Sequence, residues 1–292
     1  MSSAAVAARG GRGKLNTAPL WVLPPLLVIA AIFLYPLGLI FAEALSGGTA
    51  AFSLTAFGQV LATGSFRNAL LHTIQISVAA SFGCIVLGFV IALVLSFVPF
   101  PGSRSVARLI ETYIALPTFL AALALTFLYG SAGVLNGTLM QALGLKLPPV
   151  DFLYSPWGVI LAEVTIYTPF VMRPLLAAFS LIETAQIEVA ASLGARPLRI
   201  VRQVILPAAI PALLAGGSLC LLLTVNEFGI VLFIGAKGVI TLPLLIYDKA
   251  IQEFDYTTAC VIAVVNVVLS LALYSVYRAI VVTFGGRRAG LV

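Results

Sequence analysis

Charge is what this chain has least of. Only 9% of its 292 residues are Asp, Glu, Lys or Arg, against 61% hydrophobic ones, where soluble domains carry roughly 25% charged. With a mean hydropathy of +1.14, its apolar surface cannot be hidden in one water-bounded core, so its solvent is the bilayer. Histidine is nearly missing: His72 stands alone, which excludes an H-E-x-x-H helix and any zinc site built on several histidines. At the start of an apolar run, His72 reads as a helix-end packing residue. Cysteine is scarce too. Cys84, Cys220 and Cys260 all lie within apolar runs and read as small packing residues rather than a disulfide framework. There is no G-x-x-x-x-G-K-[ST] loop and no G-x-S-x-G elbow. Nor is there a paired-carboxylate constellation of the kind proton-coupled carriers show at membrane depth. These absences argue against an enzyme, and no cofactor or metal is expected in this chain.

What charge there is falls in a pattern. The formal net charge is +6 and the pI about 9.4, which in a soluble protein would suggest nucleic acid. Here the basic residues lie mostly between apolar runs, where they set topology, so no nucleic-acid partner is expected. At about 20 apolar residues per span, the chain holds about six. They run roughly from Leu20 to Phe41, Leu70 to Val98, Leu109 to Tyr129, Trp157 to Ser180, Ala208 to Gly235 and Thr258 to Phe284. With the N-terminus inside, the inner segments hold Arg9, Arg12, Lys14, Arg104, Arg108, Arg196, Arg199, Arg202, Arg278, Arg287 and Arg288. The outer ones hold only Arg67, Lys146, Lys237 and Lys249. Both termini are therefore expected in the cytoplasm.

The expected class is an all-α polytopic membrane protein. Residues 1–18 read as a disordered cytosolic tail, 19–284 as one transmembrane domain and 285–292 as a second tail. A signal peptide is the rival reading of the N-terminus, but the first apolar stretch is too long for one and lacks a small-residue cleavage pattern. The outer stretches Ser46–Thr73 and Ser131–Pro156 read as short interfacial helices and turns, with Pro148 and Pro149 as stops. Pro24, Pro25, Pro36, Pro117, Pro169, Pro174 and Pro211 fall in the spans and are expected to kink them. Small residues in "SVAAS" (Ser77–Ser81) and "AGGS" (Ala215–Ser218) let helices approach closely.

A carboxylate in hydrocarbon needs a reason. Glu227, in "TVNEFG" beside Asn226, sits in the outer half of the fifth span. It reads either as lining a polar path or gate, together with Asn226, or as a hydrogen-bonding residue holding helices together. Glu163, early in the fourth span, reads as a structural residue that caps or snorkels. Glu111 is expected to pair with Arg108, and Arg173 to reach the headgroups.

The segment from Glu183 to Pro207 breaks the greasy pattern. "ETAQIEVAASLGA" has strong helix formers, Gly194 suits a left-handed helix end and Pro197 suits the first turn of a second helix. In "PLRIVRQVILP", Leu198, Val201 and Ile205 are expected on one face and Arg199 and Arg202 on another. An interfacial amphipathic loop with its arginines on anionic lipid would look the same. The order of residues separates the two. Glu188, Ala190, Gly194, then nine residues, then Val204-Ile205-Leu206-Pro207 follow the pattern E-A-A-x₃-G-x₉-I-x-L-P, with Val189 and Val204 as conservative departures. The chain thereby resembles the inner-membrane permease subunits of binding-protein-dependent ABC importers, from about Ala18 to the C-terminus.

That resemblance implies a type-I importer-like permease fold. It also implies a coupling segment, residues 183–207, that docks on a separate cytosolic ATPase dimer, where Mg-ATP is bound. Glu188 would make the polar contact, Ala190 permit close approach and Gly194 make the turn. Val204, Leu206 and Pro207 would lead back into the membrane. A second permease chain, identical or paralogous, and a periplasmic solute-binding protein are further implied partners. "NEFGIVLFIGAKGVITLPLLIYDKAI" (Asn226–Ile251) is similar to permeases for sulfate, molybdate, phosphonate and polyamines, and more narrowly to those for 2-aminoethylphosphonate.

Overall fold

A computed structural model describes residues 18–46, 53–236 and 238–283. The expected tails, residues 1–18 and 285–292, lie almost wholly outside these. Among the described residues all regular structure is helical, and six stretches are long and apolar enough to cross a bilayer: Trp21–Ser46, Gly64–Phe97, Thr118–Leu143, Pro156–Phe179, Pro197–Val225 and Tyr256–Ile280. The helices are α1 (Ala18–Ser46), α2 (Thr55–Ala62), α3 (Gly64–Phe97), α4 (Ser103–Tyr113), α5 (Thr118–Tyr129), α6 (Val134–Leu143) and α7 (Pro156–Phe179). They continue as α8 (Thr184–Ser192), α9 (Pro197–Ile200), α10 (Leu206–Val225), α11 (Gly229–Ile234), α12 (Leu242–Tyr247) and α13 (Tyr256–Val281).

The centre of the molecule is the triple packing of α3, α7 and α10, with α13 against α10 and α1 against α13. Small residues make it possible. A Cβ on Gly216 would lie 2.9 Å from the Val171 Cα, and one on Gly88 3.1 Å from the Val171 Cβ. The backbones are therefore as close as their side chains allow, and packing is what holds helices together once all surroundings are apolar. The two small-residue clusters serve this purpose. Ser77, Ala80 and Ser81 are buried, and the Ser81 hydroxyl lies 3.1 Å from that of Thr224. Cys84 and Cys220 are buried free thiols in the same layer.

Several sequence expectations are corrected. The second span is longer than the apolar run, because Thr63 caps it by accepting from the Phe66 N–H at 3.4 Å. The third span does not start at Leu109. The stretch through Leu109 forms a separate helix, α4, and Pro117 stands before α5 rather than within a span, since the residue preceding a proline is pushed out of the helical region. α5 alone has 12 residues, about 18 Å of helix, so the crossing needs α6 after a turn at Gly130–Gly133. α6 is stopped by Gly144, at φ +65°, ahead of Pro148 and Pro149. The fifth span starts earlier, at Pro197, runs through a π-helical stretch at Val201–Ile205, and ends at Val225 rather than Gly235.

Ionic expectations change as well. Glu111 faces Arg173 at 3.9 Å, not Arg108, and this half-exposed pair ties α4 to α7. Glu163 neither caps nor snorkels: it is 1% exposed, and its Oε2 has no hydrogen-bond partner. His72 lies two turns inside α3 rather than at its end, half-buried, with its Nδ1 3.3 Å from the Ile240 carbonyl.

Candidate functional site

Two sites emerge, one where the chain enters the fifth spanning helix and one where that helix breaks off after Val225. The first is the segment between α7 and α10. α8 ends at Ser192, Gly194 takes φ +81°, and Pro197 opens the next helix as its first residue, following Arg196 in extended backbone. No heavy atom lies within 4 Å of where a Gly194 Cβ would be. The glycine is thus required by the backbone conformation and not by crowding. Ile187, Ala190 and Ala195 pack back on the core, which fixes the orientation of α8.

The rest of the turn points away from the protein. Val189, Leu193 and Leu198 are 58%, 81% and 79% exposed, and Glu188, Arg196, Arg199 and Arg202 are exposed beside them. Leu198 therefore does not share a buried face with Ile205; Ile200 takes that place, 8% exposed. The reason is that α9 is a four-residue turn running straight into the π-helical stretch, which shifts the register of the face that meets the bundle. Val204, Leu206 and Pro207 are half-buried where the chain re-enters the bundle. Gly194, Arg196, Leu198, Arg199, Arg202, Gln203 and Pro207 line an open cleft of about 910 Å³. Glu188, Ala190 and Gly194 are thus brought to one knob, with Val204, Leu206 and Pro207 as its stem.

The second site is the break at Asn226–Phe228 between α10 and α11. Glu227 is 7% exposed. Its Oε2 accepts a hydrogen bond from the Tyr167 hydroxyl of α7, and its Oε1 accepts from the Ile230 N–H at 2.8 Å. One carboxylate thus satisfies a backbone donor freed by the break and fastens the break to α7. A buried charge is tolerable only with such partners. Asn226 faces elsewhere. It is exposed, its Nδ2 donates to the Leu222 carbonyl at 2.8 Å and to Ser270 Oγ at 3.4 Å, and its Oδ1 accepts from Asn266 Nδ2 at 3.0 Å. The two neighbours that sequence reading grouped together therefore serve different elements, α7 and α13.

Sequence reading missed Tyr167, Asn266, Ser270 and Asn136. Asn136, 0% exposed, donates to the carbonyls of Gly130 at 2.9 Å and Val150 at 2.7 Å and accepts from the Val150 N–H at 3.0 Å. It closes the backbone broken between α5 and α6. A polar residue inside an apolar run was the available signal for Asn266 and Ser270. Tyr167 offers none, since a tyrosine in a span is ordinary.

The described residues thus form a six-span helical bundle with a break after the fifth crossing and an exposed helix–turn–helix at its basic end. Residues 84–287 match the family described as "Binding-protein-dependent transport system inner membrane component", and the chain belongs to that family. A protein of Salmonella typhimurium named "Putative 2-aminoethylphosphonate transport system permease protein PhnU" is 60% identical over 265 residues, covering 90% of this chain and 93% of that one. A "Probable sulfate transport system permease protein cysT" of Chlorokybus atmophyticus is 32% identical over 193 residues, covering 65% and 64%. In fold, the chain is similar to one in the crystal structure of a bacterial ABC transporter that imports the acidic polysaccharide alginate, with TM-score 0.78, 18% identity and 91% and 95% of the chains covered. It is also similar to a chain of the MetNI methionine ABC transporter, with TM-score 0.54, 21% identity and 73% and 93% covered.

Proposed function

We propose that this chain is the translocation subunit of an ATP-driven importer that carries 2-aminoethylphosphonate across the inner membrane. It works with a second permease chain, identical or paralogous, a dimer of cytosolic ATPases holding Mg-ATP, and a periplasmic binding protein that delivers the solute. The observation that carries the coupling role is the knob around Gly194. Apolar Val189, Leu193 and Leu198 are largely exposed there, at the end of the bundle where arginines mark the cytosol. Isolated leucines at a surface mean little, but several on one short turn beside an exposed carboxylate suit a protein cleft. The knob is stiffly joined to the bundle, because α9 and the π-helical stretch run without a break into α10. A push on Leu198 or Arg199 therefore moves α10 as a lever, up to the break at Asn226–Phe228.

The thermodynamic requirement is that ATP favour one arrangement of the two halves over the other. Closure of the ATPases draws two such knobs together, and the path opens on the opposite side. The 2-aminoethylphosphonate assignment rests on the 60% identical relative over nine-tenths of the chain. A path for an inorganic oxyanion is the second reading, favoured by the more distant sulfate permease.

Uptake into proteoliposomes holding the complete complex tests both. ATP-dependent accumulation of labelled 2-aminoethylphosphonate, not competed by sulfate, is expected. Gly194→Val places a branched side chain at φ +81°, at a cost of about 1–2 kcal/mol, and Glu188→Ala removes the carboxylate. Each is expected to cut uptake tenfold or more while the chain stays in the membrane. Unchanged uptake in both would overturn the coupling role, and accumulation of sulfate alone would overturn the solute.

A further inference from the structure

The seam between α10 and α13 holds a hydrogen-bonding imbalance. Asn226, Asn266 and Ser270 form a small polar cluster there. From Tyr256 to Asn266 is about 15 Å of helix, half of a roughly 30 Å hydrocarbon core, so the cluster lies near mid-membrane. Donors in it are mostly spent. Asn226 Nδ2 serves Leu222 and Ser270, Asn266 Nδ2 serves Asn226, and the Ser270 hydroxyl donates to the Asn266 carbonyl at 2.9 Å. Acceptors are left over. Asn266 is 6% exposed and its Oδ1 has no partner, while the Oδ1 of exposed Asn226 uses one of its two acceptor sites.

An orphan amide oxygen at this depth costs free energy, and an exposed asparagine at the break of a spanning helix has no reason to face hydrocarbon. Broken helices near the midplane are where membrane carriers meet their cargo. Around the seam no arginine or lysine is placed to serve an anion: among the described residues of the spans, Arg67, Arg173, Arg199, Arg202 and Arg278 all fall toward helix ends.

We propose that Asn226 and Asn266, backed by Ser270, form a solute contact in the translocation path that accepts hydrogen bonds from a primary ammonium group. This rests on the 2-aminoethylphosphonate reading above and assigns the cluster to the amino end of that solute, not its phosphonate end. Asn226 makes the first contact from the exposed side. Asn266 supplies the second acceptor as α10 and α13 part during the cycle.

The test compares two solutes in one reconstituted complex. 2-Aminoethylphosphonate and ethylphosphonate, which lacks the amine, are each offered with saturating binding protein, and ATP-dependent uptake is measured. The binding protein's own preference is common to all variants, so a change in the uptake ratio reports the permease alone. Asn266→Leu is expected to lower the ratio of amino to amine-free uptake about tenfold or more, as expected for loss of a hydrogen bond to a charged group. Asn266→Asp, which keeps the acceptors and adds charge, is expected to keep or raise it.

Two results would overturn the contact. One is an unchanged ratio in Asn266→Leu with the complex intact. The other is loss of the second permease chain from the purified Asn266→Leu and Asn266→Asp complexes alike, which would make the cluster a packing contact between permeases. No uptake of 2-aminoethylphosphonate by the unaltered complex would overturn the solute reading, and this inference with it.

Discussion

Removing the Tyr167 hydroxyl probes whether Glu227 is held in the bundle as a paired carboxylate. Both side chains are buried, 4% and 7% exposed, and the hydroxyl donates to Glu227 Oε2. Tyr167→Phe leaves Glu227 with the Ile230 N–H alone, 2.8 Å from Oε1. A hydrogen bond to a charged group contributes about 1.5–3 kcal/mol. At roughly 2–4 °C per kcal/mol for a large domain, the unfolding midpoint should fall by about 3–12 °C. The second arm is Glu227→Leu, which removes the acceptor at similar volume. In that background Tyr167 carries an orphan hydroxyl, so Tyr167→Phe should leave the midpoint unchanged or raise it. A thiol-reactive fluorophore reads both arms, because Cys84 and Cys220 are 0% exposed and react only on unfolding; Cys260→Ser removes the partly exposed thiol. An equal fall in the two backgrounds would show that the hydroxyl is not holding the carboxylate, and the break would need another fastening.

Two further expectations concern the outer face. Asn136→Leu should lower the midpoint by more than Tyr167→Phe, since it strands the Val150 N–H and two carbonyls at about 1–3 kcal/mol for each buried orphan; a shift under 2 °C would mean that water replaces the amide. Asp248, just outside the sixth span, has its carboxyl pushed above the ordinary value of 3.8 by burial first and then by Glu253, with Lys249 and Gln252 opposing. A raised folded-state pKa means that the folded form binds more protons, so stability should decline as pH rises from 3.8 through the raised value. Asp248→Asn should flatten that limb in a pH series of unfolding midpoints, and an unchanged limb would assign it to another group.

Much of the turn around Gly194 was legible because its signals are local. A glycine at a helix end, a proline at a helix start and strong helix formers between act within a few residues, and the structure places Gly194 and Pro197 as that chemistry demands. The face of the second helix was not legible. Sequence spacing put Leu198 inward by assuming 3.6 residues per turn, and the π-helical stretch at Val201–Ile205 breaks that period. Glu227 and Asn226 show the same limit. Adjacent in sequence and both polar, they were read as one feature, yet the end of α10 sends one side chain to α7 and the other to α13.

By itself, the sequence determined that the chain lives in a bilayer, crosses it about six times and gathers most of its arginines on one side. Those properties are sums over composition and position, and water and lipid sort them without regard to which helix meets which. Tertiary structure alone decided where the crossings break and which polar atoms are left unpaired. That depends on partners far apart in the chain, such as Asn136 with Val150, Tyr167 with Glu227 and Asn226 with Asn266. In hydrocarbon no water stands in for a missing partner, so each broken helix must find its hydrogen bonds among neighbours that only packing brings together.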